Sequence, residues 1–275
     1  MISNSKMRNK NNDHLITKLF ASQPKQSDTP QNKGETMARH KAKGHRRDQT
    51  NLINFENART ERKQRQVQLI PRNTKQEEYL KYLEDPKNKI VISAGSAGTG
   101  KTLFAVTKAI QDLQNGKVDR IIITRPAVSV DEEHGFLPGT LEEKMMPWVR
   151  PIYDVFEEYY SKKDILHMME SGVIEVAPLA YMRGRTFKNS FIILDEAQLT
   201  TPNQMKMAMT RAGEGSRVVI TGDIMQTDAG KTGLADVLTM FRVKQVKGIA
   251  LVQFERCHVE RSETVKIALE LFGDE

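Results

Sequence analysis

KIVISAGSAGTGKT, Lys89 to Thr102, runs from an apolar strand pattern straight into a glycine-rich loop. The first half is short, β-branched and apolar on both alternations, the pattern of a strand covered on both faces in a parallel sheet. The second half, Gly95 to Thr102, matches G-x-x-x-x-G-K-[ST] at every defined position. Gly95, Gly98 and Gly100, with Ser96, Ala97 and Thr99 between them, let the backbone curl so that successive N–H groups converge on phosphate oxygens. A helix from Lys101 to about Gln114, stopped by Gly116, adds the positive end of its dipole at the same point. In such a loop Lys101 reaches the β- and γ-phosphates and the Thr102 hydroxyl is a Mg²⁺ ligand.

A second stretch supplies the partner chemistry. FIILDEAQ, Phe191 to Gln198, places two carboxylates directly after a buried strand. In open α/β sheets the carboxyl ends of the strands face the ligand crevice. Asp195 is therefore expected to hold Mg²⁺, and Glu196 to orient or deprotonate an attacking water, which argues for ATP hydrolysis over nucleotide storage. TGDIMQTD, Thr221 to Asp228, ends another strand, expected beside the one carrying Asp195. Thr221, Asp223 or Gln226 could sense the γ-phosphate there, the alternative being a strand end with a capping aspartate. Upstream, the amide of Gln76 in NTKQ both donates and accepts, as pairing with an adenine edge requires.

The remaining pattern is alternating. A short helix spans about Thr74 to Asp85, and strands are expected at Arg120–Pro126, Val173–Pro178, Arg217–Asp223 and Ile249–Phe254. Helical stretches include Glu142–Tyr160 and Gln204–Gly213, the latter read as a methionine-rich face packed on the sheet. The expected fold is α/β, a mostly parallel sheet flanked by helices over residues 67–275. Residues 1–66 hold 15 Lys/Arg against 6 Asp/Glu, and the rest 27 against 29. That polar segment lacks a periodic apolar pattern and reads as a disordered basic tail, either a phosphate-neutralising arm or a solubilising extension. Cys257 is the only cysteine, which excludes an intrachain disulfide and fits a reducing, cytoplasmic compartment. No apolar run approaches the ~20 residues of a membrane span, and the polar N-terminus is not a secretory signal. His134 and the Cys257–His258 pair lack partners at metal-ligand spacing.

GSAGTGKT, TRPAV, GFLPGTLEEKM, EVAPLAYMRGRTF, FIILDEAQ and TGDIMQTD, in this order, resemble the PhoH family of P-loop ATPases. The likeness covers about Pro71 to Arg261 and leaves out the tail. It implies a RecA-like core similar to the first motor domain of superfamily-one helicases, using ATP and Mg²⁺ and acting on RNA or single-stranded DNA. It carries adenine contact to Gln76, metal and water chemistry to Asp195 and Glu196, and coupling of nucleotide state to nucleic acid to Gln226. Arg261 occupies the family's arginine position after the last strand, among neighbours that depart from the family's regular run. No second RecA-like domain follows, so an arginine is expected from a neighbouring subunit of a homo-oligomer, in the manner of a hexameric ring. Arg261, Arg256, Arg183 and Arg185 are the candidates, the last two alternatively binding nucleic-acid phosphates. The rival reading is a nucleotide-dependent switch or assembly module with a protein partner.

Overall fold

A computed structural model describes residues 66–126, 141–223 and 232–261, with positions 264, 265, 267 and 271. All of them fall in the second of the chain's two units, Gln64–Glu275. The basic tail, the FLPG stretch and Gln226 lie outside the described residues.

Short runs of β-branched residues, each closed by a glycine, proline or polar group, form the strands. These are β1 (Ile90–Gly95), β2 (Arg120–Arg125), β3 (Ile174–Pro178), β4 (Ser190–Leu194), β5 (Arg217–Gly222) and β6 (Ile249–Phe254). They make one sheet in the order β3-β2-β4-β5-β1-β6, and every pairing is parallel. The strand after β1 is added on one side of it and β6 on the other, so β1 sits where the chain changes direction across the sheet. Ligands of open α/β sheets bind outside the carboxyl ends of the strands at such a point.

Both faces of the sheet are buried, which explains why the strands read as continuous apolar runs. Ile121, Ile123, Phe191 and Ile193 point to one side, with Tyr79, Phe104, Ile152 and Phe156. Those four come from α1 (Thr74–Glu84), α2 (Lys101–Gln114) and α3 (Leu141–Glu157); α4 (Lys162–Glu170) adds Ile165. Ile122, Ile192 and Leu194 point to the other side, against Met205 and Ala208 of α5 (Pro202–Met209) and Leu234 and Leu238 of α6 (Gly233–Val243). The aromatics near Tyr153 and the methionine face of α5 are thus core packing.

Some boundaries differ from the sequence expectation: α3 ends at Glu157 rather than Tyr160, and both ends of α5 are displaced. α5 begins at Pro202 rather than Gln204, because Thr201 and Gln204 form a reciprocal capping box with proline in the first turn. It ends at Met209, since Ala212 bridges to Phe187. α4 and α6 had not been separated from their surroundings, although both carry side-chain N-caps, Ser161 and Thr232.

The end of β1 is packed against β6 with no room to spare. Gly95 has φ +139°, and a Cβ there would fall 2.0 Å from the Phe254 carbonyl oxygen. Gly95→Ala should therefore force β1 and β6 apart and cost about 2 kcal/mol or more. A denaturant midpoint equal to wild type would show that this edge tolerates separation.

Candidate nucleotide site

Because the sheet is parallel, β1, β4 and β5 present their carboxyl ends on one edge. A cavity of about 290 Å³ opens there, bounded by Gly98, Lys101 and Thr102 of the loop and by Asp195, Glu196 and Asp223 of the neighbouring strands. Lys101, 8% exposed, donates from Nζ to the carbonyls of Gly95 and Ser96 at 2.7 Å each. The Thr99 hydroxyl donates to the Ser96 carbonyl at 2.9 Å and closes the turn of the loop.

Asp195 is set by three elements. Its N–H donates to the Thr124 carbonyl of β2 at 3.0 Å. Its Oδ1 accepts from the Thr102 hydroxyl at 2.8 Å and the Thr221 hydroxyl at 2.6 Å. With its hydrogen committed to Asp195, the Thr102 oxygen keeps its lone pairs for a cation. An oxygen-rich pair of this kind suits Mg²⁺, which takes one or two protein oxygens plus water and phosphate. Glu196 follows in a left-handed conformation, φ +53°, rare for a residue with a Cβ and often found at functional sites. Its Oε1 meets the Arg125 guanidinium and its Oε2 the Gln198 amide, both at 2.5 Å. Gln198 is itself buried and accepts the Asp223 N–H at 3.0 Å.

Gln76 braces the loop from behind. Its side chain donates to the Thr99 carbonyl at 3.1 Å and accepts from the Arg72 N–H at 2.8 Å, so an adenine edge would have to exchange with both partners. It also lines a second cavity, of about 370 Å³, with Ile70, Arg72, Phe104, Tyr159 and Glu260.

The arginines separate clearly. Arg261, one of the four arginines that could serve a nucleotide site, lies against the loop of its own chain. A Cβ on Gly98 (φ +79°) would stand 2.5 Å from Arg261 Nε. The segment before it is held there by hydrogen bonds, including one from the Asn73 amide to the His258 carbonyl at 3.4 Å. The Glu260 N–H donates to the Gly98 carbonyl at 3.0 Å, and Asn73, the N-cap of α1, donates to Glu260 Oε1 at 2.9 Å. Arg185 forms a forked ion pair with Glu175, one arm at 2.9 Å, and lies over the Phe187 ring. Arg183 and Arg256 are exposed. Among the described residues, Glu255, Cys257 and His258 stand close enough together to suggest a metal. His258 Nδ1, however, already accepts the Glu255 N–H at 3.0 Å, so that lone pair is committed to the backbone.

Arg125 and Gln198 had no role in the sequence reading. Both lay inside quoted motifs, TRPAV and FIILDEAQ, and the available signal was a polar side chain at or just beyond the end of an apolar strand.

The parallel sheet, its order and the loop at the end of β1 define a RecA-like P-loop NTPase. A family model described as PhoH-like protein matches residues 68–273, and the chain belongs to that family. It is 46% identical over 201 residues to the PhoH-like protein of Synechocystis sp., covering 72% of this chain and 60% of that one. To the PhoH-like protein of Bacillus subtilis it is 46% identical over 200 residues, covering 72% and 61%. The chain thus spans about three fifths of the length of these relatives. Among solved structures, the UvsW helicase of bacteriophage T4 is similar at 13% identity and a TM-score of 0.38, over 68% of this chain and 61% of that one. No helix among the described residues is long and apolar enough to cross a membrane.

Burial pushes the Lys101 ammonium below its ordinary value of 10.5, opposed by the charges of Asp223, Asp195 and Glu196. Phosphate oxygens would favour the ammonium, so its pKa should be higher in a complex than in the free chain. Nucleotide binding should then take up protons in the window between those two values, and affinity should fall as pH rises through the lower one. Calorimetry in buffers of different ionisation heat reads this directly. Absence of uptake up to the ordinary lysine value would contradict it.

Proposed function

We propose that the chain binds ATP with Mg²⁺ and hydrolyses it, and that turnover is coupled to RNA or single-stranded DNA. One observation carries this reading: Lys101 and Thr102 on the loop face Asp195 and Glu196 at the end of β4, one strand beyond β5, across a single cavity. The ammonium of Lys101 leaves the Gly95 and Ser96 carbonyls for the β- and γ-phosphates. Thr102 and Asp195 hold the metal, which when bound neutralises charge on the transferring phosphoryl oxygens. Glu196 orients the attacking water and accepts its proton. Arg261, resting on Gly98 of its own loop, stabilises the developing negative charge without a second subunit. Gln76 and the 370 Å³ cavity beside it accommodate the adenine, at a volume within the usual range for small ligands.

Coupling to nucleic acid is supported by the family likeness and by the basic segment, 15 Lys/Arg against 6 Asp/Glu in residues 1–66. The near-neutral remainder, 27 against 29, favours instead a switch acting on a protein partner. Stimulation of ATP turnover by an RNA or single-stranded DNA oligonucleotide decides between the two readings.

Lys101→Ala should lose most nucleotide binding. Glu196→Gln should keep binding and lose about 10²-fold or more in hydrolysis. Wild-type turnover by Glu196→Gln would remove the role given to that residue.

Arg261→Ala should slow turnover by about 10³-fold. Mixing it with Lys101→Ala subunits should give no recovery, because arginine and loop belong to the same chain. Recovery in mixed samples would place the arginine across a subunit boundary.

A further inference from the structure

We infer that Arg125 is the resident counter-ion of the acidic pair: it stands in for the metal's charge while the site is empty of nucleotide, competes with the metal, and holds Glu196 out of action until displaced. The inference rests on the hydrolytic reading of Glu196 and adds a restraint to it. Two adjacent carboxylates, one of them 7% exposed, require a cation nearby. Lys101 acts on them only at longer range, since its ammonium is engaged by the loop carbonyls and Thr99. Arg125, at the end of β2, reaches both: 2.5 Å from Glu196 Oε1 and 3.9 Å from Asp195 Oδ2. The two side chains are 17% and 31% exposed, so the pair is partly shielded from the screening that weakens surface ion pairs.

The hydrogen-bond inventory gives the restraint its meaning. Glu196 has two oxygens, and each already accepts one hydrogen bond, from Arg125 and from Gln198, which narrows the approach of a water to the remaining lone pairs. A general base needs an oxygen within hydrogen-bond reach of its water. Gln198 belongs to the same short turn as Glu196 and anchors it to the Asp223 N–H, so it is built to stay. Arg125 comes from another strand and is the removable partner. The hydroxyl of Thr102 shares Oδ1 of the same Asp195 whose Oδ2 faces Arg125. A divalent cation held by Thr102 and Asp195 would therefore sit within a few ångströms of the guanidinium and repel it. Metal arrival and release of Glu196 are one event: the incoming cation neutralises the carboxylates and drives off the charge that had been doing so.

Binding of Mn²⁺ in the presence of ADP, read from the electron paramagnetic resonance of the free ion, tests this without turnover. Arg125→Gln should bind Mn²⁺ about tenfold tighter than wild type or more, since like charges this close repel strongly even in a surface-like dielectric. Its basal ATP turnover should rise several-fold. Arg125→Lys keeps the charge and loses the planar fork, so it should bind Mn²⁺ like wild type while showing part of the gain in turnover. In the Arg125→Gln/Glu196→Gln double variant the tighter Mn²⁺ binding should persist and the gain in turnover should vanish. Unchanged or weaker Mn²⁺ binding by Arg125→Gln, or turnover below wild type, would overturn the inference. Should Glu196→Gln alone hydrolyse at the wild-type rate, the base assignment fails, and the Mn²⁺ comparison still decides whether Arg125 opposes the metal.

Discussion

One carboxylate oxygen ties the site together. Asp195 Oδ1 takes hydrogens from Thr102, on the first turn of α2, and from Thr221, near the end of β5. The loop, the acidic strand and the strand between them are thereby locked to one atom. The parallel ladder makes this possible. Leu194 pairs with Ile220 and Ile92 with the same Ile220, so Asp195 and Thr221 stand level one residue further on. An antiparallel strand in either place would carry its end to the opposite edge.

Much of this was legible in the residues. The strand before the loop and the helix after it follow from periodicity and glycine placement, and β5 lies beside β4 as expected; that its other neighbour is β1 comes from the structure. Asp195 and Glu196 could be located because carboxylates do not end a buried strand without a partner. What the sequence left open is mostly contact information. That Gln76 spends both ends of its amide on Thr99 and Arg72 is not encoded in local pattern. Nor is the fold-back of Arg261 onto Gly98, which depends on a segment about 160 residues away meeting the loop. Arg185 illustrates the reverse: a basic residue in a distinctive motif is held by Glu175, a residue ten positions earlier on β3.

The charged groups of the site are satisfied within the chain. The phosphate-binding lysine is occupied by loop carbonyls, and the acidic pair by an arginine. An entering nucleotide must exchange these internal bonds for its own, so the measured affinity is a difference between two well-bonded states. The same exchange keeps buried charges from being stranded, which would otherwise cost several kcal/mol each. The left-handed backbone at Glu196 adds local strain that the surrounding bonds to Gln198 and Arg125 hold in place.

The tether between Asn73 and Glu260, 187 residues apart, has a consequence for how the domain is made. Its two halves are synthesised at opposite ends of the translation of this unit, yet both frame the loop at Gly98. Contacts of such long sequence separation form late, because the closure entropy of the intervening chain comes before any reward. A nascent polypeptide that has already paired β2 with β4 and β1 with β5 still lacks the segment that covers the loop. On the proposed reading, full nucleotide affinity belongs to the finished domain, and bound nucleotide would stabilise that finished state by mass action.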